Sequence, residues 1–330
     1  MCAGLSAIRS EWVRIDRVAY RLGMAMIDVL AVDLDGTLLG RDKSVSRANV
    51  EAIDRARQAG VHVLICTGRG LVECRSALAA IEQELPVMVA GGSIVADPVS
   101  GKTLHRIEMG AELVHRAVEL FHEARSPAMV LKDPSSIGYD YLIVDSEDAY
   151  PIHDITKWWF ADHGIQSRNA RSLHDDEHPE HTVRVGMCCE VSRSNPVSAR
   201  VLDELGDLVE LHDFPCVKPD WNLEGEQVGE EVHILEVFDK RATKWNAIDW
   251  YLQKHNIDPS RVAAIGDQVN DLTMIHGAGI GIAMGNAIDA VKDRSCYVTA
   301  SNHEDGVAVA IDCLLGGDVS KMKSGMKAGR

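Results

Sequence analysis

The stretch Asp33-Leu34-Asp35-Gly36-Thr37-Leu38 follows directly on a short, mostly apolar strand over 27–32, so two carboxylates stand where that strand stops. In open parallel sheets, ligands bind outside the carboxyl ends of the strands. Two more strands run into reactive text. Residues 61–66 lead to Thr67-Gly68-Arg69, and 262–265 lead to Gly266-Asp267-Gln268-Val269-Asn270-Asp271. Helical stretches separate them. Residues 46–59 carry Val50, Ile53 and Ala56 along one stripe and close at Gly60, a residue type that favours a helix C-terminus. Residues 71–81, 243–255 and 271–276 also read as helical, and 296–299 as a further strand. Apolar strands alternating with helices imply a parallel sheet covered on both faces, an α/β fold.

The middle of the chain reads differently. Strands at 128–132, 141–144 and 183–191, joined by long polar connections, suggest an antiparallel or mixed sheet. Spacing supports an insertion: 34 residues from Asp33 to Thr67 leave room for little beyond one helix, whereas Thr67 and Lys244 stand 177 residues apart. The expected organisation is an N-terminal extension over 1–25, a first core segment over 26–93, an α+β insertion over 94–231, a second core segment over 232–313 and a disordered tail over 314–330. Within 1–25, Ile8, Trp12 and Ile15 fall at helical spacing without the apolar stretch of a signal peptide, so that segment is read as an extension.

Composition narrows the function. The 330 residues are 46% hydrophobic and 25% charged, as in ordinary globular proteins. The longest uninterrupted apolar run has five residues, and a membrane span needs about 20. A formal net charge of −16 repels polyanions, which argues against sequence-independent binding to nucleic acid or to an anionic membrane. An anionic ligand must therefore be held locally, by cations or a metal. Eight cysteines without any CxxC pattern read as reduced thiols, as in a cytoplasm.

Carboxylates gathered at two strand ends repel one another unless a cation sits between them. Hard oxygen donors with few protein contributors suit Mg²⁺, which keeps several waters and shares a substrate phosphate. A metal pocket with a spare carboxylate, a hydroxyl donor and a lysine fits phosphoryl transfer, in which an Asp can serve as nucleophile. Lys244 adds to this. A cation in the first turn of a helix opposes the helix dipole, so a phosphate ligand accounts for it better than surface packing does.

These motifs together resemble the haloacid dehalogenase (HAD) superfamily, subfamily IIB, and within it the Cof-like hydrolases. The matching text is Asp33–Leu39 (DLDGTLL), Thr67-Gly68-Arg69, Lys244, Gly266–Asp271 (GDQVND), Ala283–Ala287 (AMGNA) and Ser301–Val307 (SNHEDGV), in family order from about residue 26 to 313. The resemblance implies a Rossmann-like parallel-sheet core with an inserted α+β cap that selects the substrate. It implies Asp33 as nucleophile and Asp35 as general acid/base. Thr67, Gly68, Lys244 and Asn270 would bind the phosphate. Asp33, the Asp35 carbonyl and Asp267 would hold Mg²⁺, with Asp271 supporting that shell. Arg69 is a candidate for substrate or cap contact. One departure stands out: Ala90-Gly91-Gly92-Ser93 replaces a common Asn-Gly-Ala, with glycine in place of the Asn.

Asp33-x-Asp35-Gly36 is no EF-hand loop, because Gly stands at position four and Ser44 at twelve. Residues 96–103 nearly match a P-loop but lack its first Gly, and read as a hairpin turn. Gly277-x-Gly279-x-Gly281 reads as a helix-to-strand turn, not a dinucleotide loop. The His/Asp/Glu run from His174 to His181 reads as a solvated acidic loop rather than a metal site, and Trp158, Trp159 and Met187 as cap core or cap–core contact. The expected activity is a Mg²⁺-dependent phosphatase acting on a small phosphorylated metabolite, sugar phosphates first. The alternatives are a phosphomutase of the same subfamily and a non-catalytic binder of phosphorylated ligands.

Overall fold

A computed structural model describes residues 27–145, 151–216 and 230–325. The expected extension over 1–25 and the last residues of the expected tail lie outside the described residues. Along the chain the strands are β1 (Val29–Val32), β2 (His62–Ile65), β3 (Val87–Val89), β4 (Ile94–Ala96), β5 (Thr103–Arg106), β6 (Ala128–Lys132), β7 (Tyr141–Val144), β8 (Ser167–Ala170), β9 (Thr182–Glu190), β10 (Val209–Pro215), β11 (Val232–Asp239), β12 (Val262–Gly266), β13 (Ile280–Ala283), β14 (Tyr297–Val298) and β15 (Lys323–Ser324). The α-helices longer than four residues are α1 (Arg47–Gln58), α2 (Arg75–Ala80), α3 (Ala111–Glu123), α4 (Asp154–His163), α5 (Val191–Leu205), α6 (Lys244–His255), α7 (Leu272–Gly277) and α8 (Gly306–Gly316). The chain forms two compact units. The first comprises Met1–Thr67, Ser76–Val87 and Ile248–Arg330; the second comprises Gly68–Arg75 and Met88–Ala247.

The first unit holds a sheet in the order β15-β14-β13-β12-β1-β2. All its pairs are parallel except β14 with β15. β1 and β12 are buried along their whole length, as unbroken apolar text in a covered parallel strand requires. From β1 the chain crosses to β2 on one side, and the later strands build outward on the other. The order therefore switches direction between β1 and β12, the place where such sheets bind ligands.

α1 forms where it was expected, with the Ser46 side chain accepting from the Asn49 backbone N–H at its start. Its buried face differs from the stripe read in the sequence. Asn49, Ala52, Ile53 and Ala56 face inward and Val50 is only half-buried. The reason is polar: Asn49 Oδ1 accepts from the Ala308 N–H at 3.0 Å, and its Nδ2 donates to the Leu38 carbonyl at 3.4 Å. One amide thus ties α1 to α8 and to the loop after β1. Residues 314–325 also differ from a disordered tail. α8 runs to Gly316, and β15 returns antiparallel to β14 with Met322 buried beside it.

The second unit holds a six-stranded sheet in the order β10-β11-β9-β6-β7-β8, antiparallel except for β7 with β8. β6 and β7 cover the expected residues. β11, read in the sequence as the return of the parallel-sheet text, lies instead between β10 and β9. An apolar strand carries no mark of which sheet it will enter. Val130, Leu142, Val185, Met187, Leu235 and Val237 form one face of this sheet and pack against α3 and α5. Met187 is therefore core. A separate sheet, β3-β4-β5, contains the residues of the near P-loop: Asp97 and Gly101 close a turn between β4 and β5.

Replacing Asn49 with Ala should leave the Ala308 N–H and the Leu38 carbonyl buried without that partner, at about 1–3 kcal/mol for each such group. Urea unfolding should show a loss of at least about 2 kcal/mol. An unchanged midpoint would refute the tie between α1 and α8.

Candidate active site

Strand register builds the site. Val32, Ile65 and Ile265 stand level in β1, β2 and β12. One residue further lie Asp33, Cys66 and Gly266; a second step reaches Thr67 and Asp267. Hydrogen bonds carry the register past the strand ends, from Asp33 N–H to the Ile265 carbonyl at 3.1 Å and from Cys66 N–H to the Val32 carbonyl at 2.9 Å. Asp33, Thr67 and Asp267 are all buried.

After Asp33 the chain makes a tight turn over Leu34–Leu38. Leu38 N–H donates to the Asp33 carbonyl and Leu39 N–H to the Leu34 carbonyl. Gly36 sits in this turn at φ +73°, and a Cβ there would lie 2.4 Å from Asp267 Oδ2. Only glycine gives both that backbone and that close approach. Thr37 then donates its hydroxyl to Asp267 Oδ1 at 3.0 Å. Asp271 Oδ2 accepts from the Asp267 and Gln268 N–H groups at 2.8 and 2.9 Å, fixing the turn after β12.

Asp33, Asp267 and Asp271 each present a carboxylate oxygen within 4.8 Å of the others. Among the described residues no other group of His, Cys, Asp and Glu is so arranged, the run from His174 to His181 included. In that run Asp176 is not solvated: its carboxylate pairs with Lys132, whose ammonium also donates to Thr182 Oγ1 at 2.7 Å. Asp35 is exposed, and its side chain lies outside the carboxylate group. Asn270 is half-buried, with its Oδ1 buried and unpartnered.

Gly68, Arg69 and Lys244 belong to the second unit. Lys244 is buried at the start of α6. Arg69 lies with its guanidinium 5.0 Å from the centre of the Trp159 ring and donates to the Glu73 carbonyl at 3.2 Å. The Glu73 carboxylate accepts from the Trp159 indole N–H and from the Gly70 N–H. Of the two roles open to Arg69, the structure shows a contact to α4. Arg184 on β9 donates to the Gly68 carbonyl at 3.0 Å and to Tyr141 Oη at 2.5 Å, and pairs with Glu236 on β11 at 2.6 Å. Burial pushes the Glu236 carboxyl up, and Arg184 opposes that push. Glycine at 91 has a local cause: a Cβ there would lie 2.9 Å from the Phe238 ring.

The family model for haloacid dehalogenase-like hydrolases matches residues 30–311. The chain belongs to this family. Among curated relatives, the 5-amino-6-(5-phospho-D-ribitylamino)uracil phosphatase YwtE of Bacillus subtilis (strain 168) is 29% identical over 302 residues, 87% of this chain and 98% of its own. The pyridoxal phosphate phosphatase YbhA of Escherichia coli (strain K12) is 29% identical over 286 residues, 85% of this chain and 96% of its own. A solved haloacid dehalogenase-like hydrolase from Bacteroides thetaiotaomicron matches the fold with a TM-score of 0.68 at 22% identity, over 87% of this chain and 98% of that one. This HAD chain is a phosphoric monoester hydrolase.

Two residues of the HAD text to which sequence reasoning gave no role prove to hold the loop after β1. Asn286 donates to the Gly36 carbonyl at 2.8 Å and accepts from the Asn302 N–H at 2.9 Å. Asn302 in turn donates to the Leu39 carbonyl at 2.8 Å. Each stands in a short motif, but only the folded chain shows that the two amides join. Among the described residues, no helix is long and apolar enough to cross a membrane.

Gly36→Ala should push the Asp267 carboxylate from its place and strain the turn. We expect turnover to fall by about 100-fold, the scale of a misplaced reacting group. Titration calorimetry should show divalent-ion binding weakened in parallel. Wild-type metal affinity in this variant would sink the packing argument.

Proposed function

We propose that the chain is a Mg²⁺-dependent phosphatase that hydrolyses a small phosphorylated metabolite through an aspartyl-phosphate on Asp33, with sugar phosphates the favoured class. The buried trio Asp33, Asp267 and Asp271, gathered at the switch point of a parallel sheet, carries the reading. Three like charges in one small space call for a cation, and an all-oxygen donor set suits Mg²⁺. Asp33, Asp267 and the Asp35 carbonyl would hold it, supported by Asp271; when bound, it supplies charge neutralisation to the phosphoryl oxygens.

In the proposed reaction an Asp33 carboxylate oxygen attacks phosphorus while the ester P–O bond breaks. Asp35 gives its proton to the leaving oxygen. It then takes a proton from the water that attacks the aspartyl-phosphate, releasing orthophosphate and restoring Asp33. The burial of Asp33 and the exposure of Asp35 support this division: one is fixed for attack, the other can reach an incoming ester. Thr67, Gly68 and Asn270 would donate to the phosphoryl group and Lys244 would neutralise it, as the matching motifs suggest. The cap expected over 94–231 would choose the ester. The phospho-D-ribityl group in one relative's name, a sugar-alcohol phosphate, supports the substrate class; pyridoxal phosphate in the other's lies outside it. A cytoplasmic location fits the described cysteines, all of them free thiols.

Exhaustive chelation should abolish phosphate release, and added Mg²⁺ should restore it; full activity without metal would remove the cation from the scheme. The two carboxylates separate in a second test. Asp33→Asn should lose turnover and form no phosphoenzyme. Asp35→Asn should be slowed about 10²–10⁴-fold, the usual worth of general acid–base help. It should still phosphorylate with an activated ester. Rapid quench and mass spectrometry of Asp35→Asn would overturn the assignment if phosphate sat on any residue but Asp33.

A further inference from the structure

Arg184, Glu236, Tyr141 and Phe238 share the face of the second unit's sheet opposite its apolar core, because they alternate along β9, β11 and β7 with the core residues Val185, Val237 and Leu142. Arg184 and Glu236 are nevertheless only 4% exposed. A buried ion pair is poor evidence for a stabilising role, since apolar residues of similar size often do as well or better. The geometry points elsewhere. A guanidinium is a planar fork that can hold several oxygens at fixed angles, and this one holds three: Glu236 Oε1, Tyr141 Oη and the backbone carbonyl of Gly68. Its carbon also lies 5.9 and 5.7 Å from the centres of the Tyr141 and Phe238 rings, which limits its movement. The next backbone carbonyl is held as well, since Arg69 O accepts from the Ala90 N–H at 2.8 Å. Because a trans peptide is planar, with C=O and N–H on opposite sides, holding the Gly68 oxygen fixes the direction of the Arg69 N–H, and holding the Arg69 oxygen fixes that of the Gly70 N–H, which donates to the Glu73 carboxylate.

We propose that Arg184, oriented by Glu236, is a positioning residue for the Gly68–Arg69 peptide, and so for the part of the phosphate-binding loop that follows Thr67. The inference rests on the proposed role of Gly68, whose own N–H belongs to the preceding peptide and joins the held carbonyl through the shared Cα. Arg184 then acts on the loop and not on the ester's leaving group. Losing Arg184 should then weaken handling of the phosphoryl group equally for every ester, whatever its leaving group.

The test compares the full-length enzyme with Arg184→Lys, Glu236→Gln and the double variant Arg184→Met/Glu236→Leu, which removes both charges and leaves neither stranded. The donors are acetyl phosphate and p-nitrophenyl phosphate, whose leaving groups share little. Orthophosphate affinity, by calorimetry with Mg²⁺ present, reads the loop without turnover. We expect the double variant to lose about 10- to 100-fold in kcat/KM with both donors, with orthophosphate binding weakened in parallel. Arg184→Lys keeps the charge but not the fork and should fall between it and wild type, which keeps the test open should the double variant not fold. Glu236→Gln should lose less than either. A loss confined to one donor would make Arg184 a leaving-group contact and overturn the proposal. Unaltered kcat/KM and orthophosphate affinity in both Arg184 variants would overturn it too. A wild type that binds orthophosphate but hydrolyses neither donor would count against the phosphatase reading, while the binding comparison would still decide the role of Arg184.

Discussion

Three carboxylates kept within 4.8 Å of one another in a buried place are the constraint that the rest of the first unit serves. Such a cluster repels itself and is costly to take out of water. A loose scaffold would let it splay apart. Instead, two of the three residues follow strands that are level in register, so backbone hydrogen bonds set their separation. The third is tied by two backbone N–H donors to the turn it ends. Thr37 holds Asp267 from the other side. Asn286 and Asn302 brace the turn that carries Gly36. Apart from the bonds of Asp271 within its own turn, these contacts join segments remote in sequence, so the site exists only once the sheet has closed.

That dependence accounts for what the sequence made legible. Strand ends were legible because apolar runs stop abruptly at polar text, as at Val32 before Asp33 and Ile265 before Gly266-Asp267. α1 was legible because its apolar residues recur at helical spacing and Gly60 closes the stretch. The inward stripe of α1 was not, since an asparagine at a core position is indistinguishable from a surface one until its partners Ala308 and Leu38 are in place. The sheet that β11 joins was equally hidden. Its text is apolar like that of β12, and strand partners are chosen by topology rather than composition. β15 was masked by lysines around a single buried anchor, Met322.

Among site residues the same line divides local from remote. Asp33, Asp35, Thr67, Asp267 and Asp271 announce themselves by short motifs whose members are neighbours in the chain. Arg184 and Glu236 lie 52 positions apart in strands without any motif, and each could as well have been a solvated charge. Their pairing follows from β9 and β11 lying side by side, with Glu236 opposite Gly186, two residues from Arg184 and on its face of the sheet. Sequence reasoning finds candidate reacting groups more readily than the groups that would aim them, because chemistry restricts residue type whereas aiming restricts only position.

The charge balance sharpens the same distinction. At a net −16 the chain offers an anionic ester no general attraction, and fields from surface charges fade within about 8 Å at physiological salt. Affinity for phosphate therefore has to come from donors held at contact distance. Those donors are the more valuable the better they are oriented, since electrostatic stabilisation of a phosphoryl group depends on dipoles that need not reorganise during reaction. A buried guanidinium gripping the Gly68 carbonyl would serve that end without adding a charge that holds the product phosphate. Its own charge is balanced by Glu236 in the same contact. An acidic protein can in this way act on anions through rigid local geometry while its global field works against their capture.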